Sequence, residues 1–152
     1  MAEFYKMNNI MLLKLLIATD LHDLGKLAVS NNILDKPSEL SKEEFEEIKK
    51  HPKITKYCLQ DINGFEEITK WASNHHEKLD GSGYPEGLIA KDLDFNSRLI
   101  ACLDIYQALR EERPYRKPMD HHKAMDLLMS MAEVGQLDHN IIDDINSVFS
   151  NN

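Results

Sequence analysis

The sequence predicts an all-α domain, and three observations carry that reading. Seven stretches place apolar residues at three-to-four spacing, none alternates with the period of a strand, and caps, glycines and prolines punctuate them. The 152 residues suit one domain, read here over 1–152. A chain of this length buries roughly two-thirds of its unfolded surface.

Residues 9–24 read as the first helix, with Ile10, Leu13, Ile17 and Leu21 inward, Lys14 facing water and Gly25 as its C-terminal stop. Residues 26–40 form a connection containing Pro37. Ser41 opens the second helix, and Glu44 three places on completes a capping box; Phe45 and Ile48 supply the inner face. His51-Pro52 breaks it, because proline disfavours helical angles in the residue before it yet suits a first turn. A third helix then runs from Pro52 to about Gln60, with Ile54, Tyr57 and Cys58 inward. Gly64 precedes a fourth, whose face reads Phe65, Ile68, Ala72 and then His75 and His76. Residues 97–110 make a fifth. Asp120 and Asp138 cap two more, with stripes Ala124, Leu127, Leu128, Met131 and Ile141, Ile142, Ile145, Phe149.

Composition excludes some functions. A net charge of −8 argues against a duplex nucleic-acid binder, although a few local cations or metal ions suffice for a small anion. The apolar run 10–18 is interrupted by Lys14 and is too short for a membrane span, so it reads as a core helix. Cys58 and Cys102 each lie in an apolar helical stretch, which fits reduced, buried thiols and a cytoplasmic location.

Several polar residues sit where a plain core would not place them. Asp104 lies between Leu103 and Ile105, with Ile100 and Ala108 on its own face. A carboxylate there is costly unless it is paired, for instance with Arg98, or bound to a metal. His22-Asp23, His51 and His75-His76 stand at three further element ends. Imidazole and carboxylate without thiolate suit iron, manganese or zinc. Six such ligands exceed the four of a structural zinc and suffice for two metals sharing a carboxylate, an arrangement suited to phosphoryl displacement. His121, His122 and His139 fall in first turns off the apolar stripes and read as surface residues. Lys26 follows the His-Asp pair, and Arg113, Arg116 and Lys117 lie in RPYRKP; arginine's planar fork fits phosphate oxygens, whereas Lys117 reads as solvated. Gly81, Gly83 and Gly87 permit positive backbone angles and close ligand approach.

Taken together, HDLGK at 22–26, HP at 51–52, HHEKLDGSGYP at 75–85, Asp104 and RPYR at 113–116 resemble the HD-GYP family. Its members are HD-superfamily metal hydrolases that cleave cyclic di-GMP in bacterial second-messenger signalling. The resemblance runs from about residue 15 to the end and implies an HD-domain-like helical bundle, shortened at its N-terminus. It implies two divalent metal ions, iron or manganese, with zinc, nickel or magnesium as other occupants of a purified sample. His22, Asp23 and Asp104 would bind one, Asp23 would bridge, and His51, His75 and His76 would hold the second. Asp23 and Lys26 would be catalytic. Lys26, Gly83, Tyr84, Pro85, Arg113 and Arg116 would line the substrate, a cyclic dinucleotide opened by in-line attack. A signalling partner or fused sensory domain is the implied company.

The chain departs from the family pattern at three points. Family members carry a further ligand histidine, and trinuclear members a glutamate, upstream of HD; residues 1–21 here contain no histidine. Gln107 stands where many members have a second aspartate, and Thr55 replaces a common glycine after HP. Two alternatives therefore accompany the phosphodiesterase reading: a catalytically impaired module that binds cyclic dinucleotides or proteins, and an HD-type phosphohydrolase acting on another nucleotide.

Overall fold

In the computed structural model, which describes residues 1, 3–112 and 117–150, the chain forms eight α-helices and no strand among the described residues. Helix α1 (Asn9–Leu21) starts where the Asn8 side chain accepts from the Met11 N–H at 2.9 Å. It buries Leu15 and Ala18, and Ile17 and Leu21 of the expected stripe pack against the core, while Ile10 and Leu13 are exposed. Lys14 is partly exposed and pairs with the exposed Glu67 of the neighbouring helix.

The first helix ends at Leu21, short of Gly25. Gly25 is buried in a 3-10 turn, Leu24–Ala28, and its φ is not in the left-handed region. A Cβ there would sit 2.0 Å from the His51 carbonyl oxygen, so close packing rather than a helix stop requires glycine. The following connection contains a short helix, α2 (Asn31–Leu34), that periodicity did not reveal. Helix α3 (Lys42–Ile48) carries the expected capping box between Ser41 and Glu44, but Phe45 is 47% exposed.

Helix α4 (His51–Leu59) has Pro52 in its first turn. His51, Pro52, Thr55 and Leu59 are its buried face, leaving Tyr57 74% exposed and Cys58 exposed, contrary to expectation. The i, i+4, i+8 row anchored by His51 decides which side faces inward. Only Cys102 is the buried thiol, pushed up to about 12 by burial.

Helix α5 (Glu66–Ser73) contributes Ile68, Trp71 and Ala72 to the core. Helix α6 (Phe95–Arg110) begins two residues earlier than expected, because Asp94 caps it: one carboxylate oxygen accepts from Ser97 N–H at 2.8 Å, the other from Trp71 Nε1 at 3.2 Å. Asp120 and Asp138 cap α7 (His121–Glu133) and α8 (His139–Phe149) as expected. On α7 the inward residues are Ala124, Met125, Leu128 and Ala132, with Leu127 exposed; on α8 they are Ile141, Ile142 and Ile145. The core sits among α1, α5, α6, α7 and α8, around Trp71, Leu99, Ile100, Leu128 and Ile142. This leaves α4, the 3-10 turn and the end of α5 to frame one polar centre. No helix among the described residues is long and apolar enough to cross a membrane.

His121 is the exception among the histidines read as surface. It is 7% exposed, and its ring nitrogens lie 3.0 Å from the Tyr106 hydroxyl and 3.0 Å from Asn146 Oδ1, tying α7 to α6 and α8. His122 and His139 are exposed.

Candidate metal centre

The centre is assembled from element ends. His22 and Asp23 follow α1, His51 opens α4, His75 and His76 follow α5, and Asp104 projects from α6. Three imidazoles are oriented the same way: Nδ1 of His22, His51 and His75 lies 2.6, 2.7 and 2.7 Å from the carbonyls of Thr19, Ile48 and Ala72. A carbonyl only accepts, so each Nδ1 donates and each Nε2 is the ring nitrogen aimed at the centre.

The inward atoms converge. His51 Nε2 is 3.1 Å from His75 Nε2 and 3.2 Å from Asp23 Oδ1. His22 Nε2 is 3.3 Å from Asp23 Oδ2 and 3.6 Å from Asp104 Oδ1, while His76 Nδ1 is 3.8 Å from Asp104 Oδ2. Two imidazole lone pairs facing a carboxylate oxygen repel one another unless a cation lies among them. Asp23 Oδ1 is accordingly buried without a hydrogen-bond partner. Two triads, His51/His75/His76 and His22/Asp23/His75, each bring ligand atoms within 4.8 Å of one another. The donor set therefore fits divalent ions, with His75 reaching both triads and Asp104 approaching through His22 and His76.

Electrostatics agree with a cation-seeking site. Burial opposes ionisation of Asp23 and Asp104, yet the histidines around them, and Lys26 for Asp23, outweigh it and hold both carboxyls below the usual range. Burial also opposes the His22 cation, but Asp104 and Asp23 prevail and raise it to about 10. His75 and His76 shift the other way: burial holds His75 well below an ordinary imidazole and brings His76 to about 4. Burial, with Asp104 and Asp23 nearby, raises Tyr84, so the phenol keeps its proton.

Lys26 Nζ lies 2.6 Å from Asp23 Oδ2. The Tyr84 ring packs 4.7 Å from that of His76, and a cleft of about 710 Å³ opens beside them. Lys26, Phe45, Ile48, His51, His76 and Tyr84 are among the residues that line it. Pro85 follows Tyr84 through a cis peptide bond. Gly81 and Gly87 have φ of 80° and 67°, as the loop reading requires. Gly83 does not; a Cβ there would sit 2.4 Å from the Lys78 nitrogen, so it serves packing of the loop on its own stem. Arg113 and Arg116 lie outside the described residues. Arg98 pairs with Asp138 at 3.1 Å and not with Asp104. Gln107 is exposed and donates to Glu111 at 2.6 Å.

Comparison with known proteins follows from this geometry. The family model described as HD domain matches residues 1–141. The chain belongs to the HD domain family. A 3'3'-cGAMP-specific phosphodiesterase 1 of Vibrio cholerae is 41% identical over 136 residues, covering 89% of this HD domain and 32% of the relative. A cyclic di-GMP phosphodiesterase of Thermotoga maritima is 33% identical over 133 residues, covering 86% and 36%. The chain thus spans about a third of the length of these relatives. Bd1817, an HD-GYP-type protein of Bdellovibrio bacteriovorus, superposes with a TM-score of 0.77 at 23% identity, covering 98% of this chain and 47% of that one. That likeness concerns the fold.

Two residues of this HD domain that support the centre were not recognised from sequence. Glu77 is 2% exposed, and its carboxylate accepts from the N–H groups of Glu86 and Leu88 at 2.7 and 2.9 Å, fastening the loop that carries Tyr84. Its place inside HHEKLDGSGYP was the available signal. Thr55 is fully buried; its hydroxyl accepts from Gly25 N–H at 2.9 Å and donates to the His22 carbonyl at 3.0 Å. The departure from glycine thus supplies a tie between α4 and the His-Asp turn.

Proposed function

We propose that this HD domain is a metal-dependent phosphodiesterase that hydrolyses cyclic dinucleotides, cyclic di-GMP foremost, at a dinuclear His/Asp centre in the cytoplasm. One observation carries the reading: imidazole and carboxylate donors converge around a buried, unsatisfied Asp23 oxygen at the edge of a cleft large enough for a nucleotide. The names of the relatives support the substrate class. His22, Asp23 and Asp104 would hold one ion and His51, His75 and His76 the other, with Asp23 between them. Iron or manganese suits these ligands. Bound divalent cations supply charge stabilisation to a phosphoryl group and lower the pKa of water.

The chain's own residues do the rest. Nδ1–H bonds to backbone carbonyls keep three imidazoles oriented with Nε2 toward the centre. Lys26, beside Asp23, offers an ammonium to the scissile phosphate. Tyr84, held protonated, donates and stacks along the nucleotide. Gly83 and Pro85 set the position of that ring, and Arg113 and Arg116 complete the cationic lining.

Elemental analysis of protein purified without chelators, with turnover of cyclic di-GMP, 3'3'-cGAMP and cyclic di-AMP, tests the proposal. Two ions per chain and a linear dinucleotide product are expected. No transition metal and no turnover with added iron or manganese sinks it. A binding module is the second reading, in keeping with Gln107 standing where many members of the resembled family have a second aspartate. Tight binding without hydrolysis, indifferent to Asp23→Ala, identifies that case.

A further inference from the structure

Helix α1 is apolar on both sides, and the fold covers only one of them. Leu15 and Ala18 face the core, whereas Ile10, Leu13 and Leu16 are 71%, 59% and 52% exposed. Asp20 is exposed as well, and the four stand at spacings of three, three and four, which makes them one stripe opposite the buried face. Lys14 and Asp20 are the only charged residues of this 13-residue helix. A helix with aliphatic side chains all round is ordinarily covered all round. None of the three apolar residues lines the cleft beside the His/Asp centre, so binding a substrate there does not cover them.

The charges at the two ends of the stripe indicate its occupant. Among the described residues, the side chains of Lys6 and Asp20 have neither a hydrogen-bond nor an ion-pair partner. Lys6 stands seven places before Leu13 and Asp20 seven places after it, and Ile10 and Leu16 stand three before and three after. Such a pattern complements itself about a two-fold axis through Leu13. Two copies of α1 laid antiparallel bring Leu13 to Leu13 and Ile10 to the partner's Leu16. The same pairing sets Lys6 against the partner's Asp20 at each end. We infer that α1 is the interface of a symmetric dimer, with a second copy of this chain covering the stripe. Each copy contributes the same patch, as a two-fold interface requires. Three half-exposed aliphatic side chains present on the order of a few hundred Å² per copy, the size of a functional patch on a monomer. Two such patches fall at the small end of specific interfaces, so the dimer is reversible, with a Kd of roughly 10–100 µM.

Sedimentation equilibrium of the chain from low to high micromolar concentration tests this. Wild type is expected to pass from monomer to dimer across the range. Leu13→Lys opposes two ammonium groups on the axis and is expected to stay monomeric throughout. Its side chain is exposed, so the variant keeps the fold, which circular dichroism checks. Lys6→Glu and Asp20→Lys each set like charges together at both ends and are expected to weaken the dimer roughly tenfold. Combining them exchanges the charges and is expected to restore wild-type association. In a Cys58→Ser background, Leu13→Cys meets its own copy on the axis and is expected to form a disulfide-linked dimer on oxidation. Leu27→Cys, at a position 85% exposed but outside α1, is expected to remain single under the same oxidation. A wild type that stays monomeric over the whole range overturns the dimer and gives the face to another protein or a further segment. Dimerisation indifferent to Leu13→Lys, or a double charge variant no tighter than the single ones, overturns it too. Should Leu13→Lys lose its helical signal, the charge variants decide alone.

Discussion

Glu77 shows how much one side chain arranges without touching a reacting atom. It spans the stem of the Tyr84 loop and satisfies two backbone donors that have no helix or strand to pair with. Removing it leaves both N–H groups orphaned inside the loop. Glu77→Ala is expected to lower unfolding free energy by about 2–3 kcal/mol, the scale of lost hydrogen bonds to a carboxylate, measured by urea denaturation. The same variant should raise KM for cyclic dinucleotides, since Tyr84 loses its fixed position. Unchanged stability would remove Glu77 from this role. Such residues are hard to read in sequence because a glutamate after two histidines resembles any solvated acid until its partners, nine and eleven places away, are folded back onto it.

At the scale of elements, the centre depends on how closely α4 approaches the Leu24–Ala28 turn. Gly25 touches the His51 carbonyl, and Thr55 bonds both Gly25 and His22, so the two segments are locked at the point where their histidines meet. A methyl group at Gly25 has no room, and the obstacle is backbone rather than a movable side chain. Gly25→Ala is expected to cost about 1–3 kcal/mol of overpacking strain. It should also lower metal bound per chain, because separating α4 from the turn separates His51 from Asp23. Elemental analysis of the purified variant checks this; full metal content would contradict it. The periodic stripes of α1 and α4 misplaced several residues for a related reason. Apolar spacing places a helix but not its rotation, and in α4 the buried row from His51 to Leu59 is the side that faces inward.

Over the whole molecule, burying so many titrating groups at one centre ties folding to pH. An unfolded chain protonates histidine near 6.5. Burial keeps His75 and His76 neutral in the folded state, His76 down to about 4. Their contribution is therefore fully present above pH 6.5 and is lost as pH falls toward 4. His22, raised to about 10, contributes fully below 6.5 and loses that contribution as pH rises toward 10. Protein stripped of metal is expected to show its highest Tm near pH 6.5, with a decline on either side, in circular dichroism melts under chelator. A Tm that climbs steadily from pH 6 to 9 would contradict the balance. Restoring metal should raise Tm near neutrality, because ions bind the folded centre and not the open chain.

The sequence by itself determined the all-α class, the caps at Ser41, Asp120 and Asp138, and the polar residues of the centre. Those signals are local: capping chemistry spans three residues, and a carboxylate such as Asp104 is anomalous beside its own neighbours. Tertiary structure decided the rest. It placed Asp23 Oδ1 between imidazoles from two different element ends, buried His121, exposed Phe45 and Cys58, and made Gly25 and Thr55 the joint between two segments. Each depends on contacts between residues far apart in the chain. No spacing within a helix encodes which face another helix will cover.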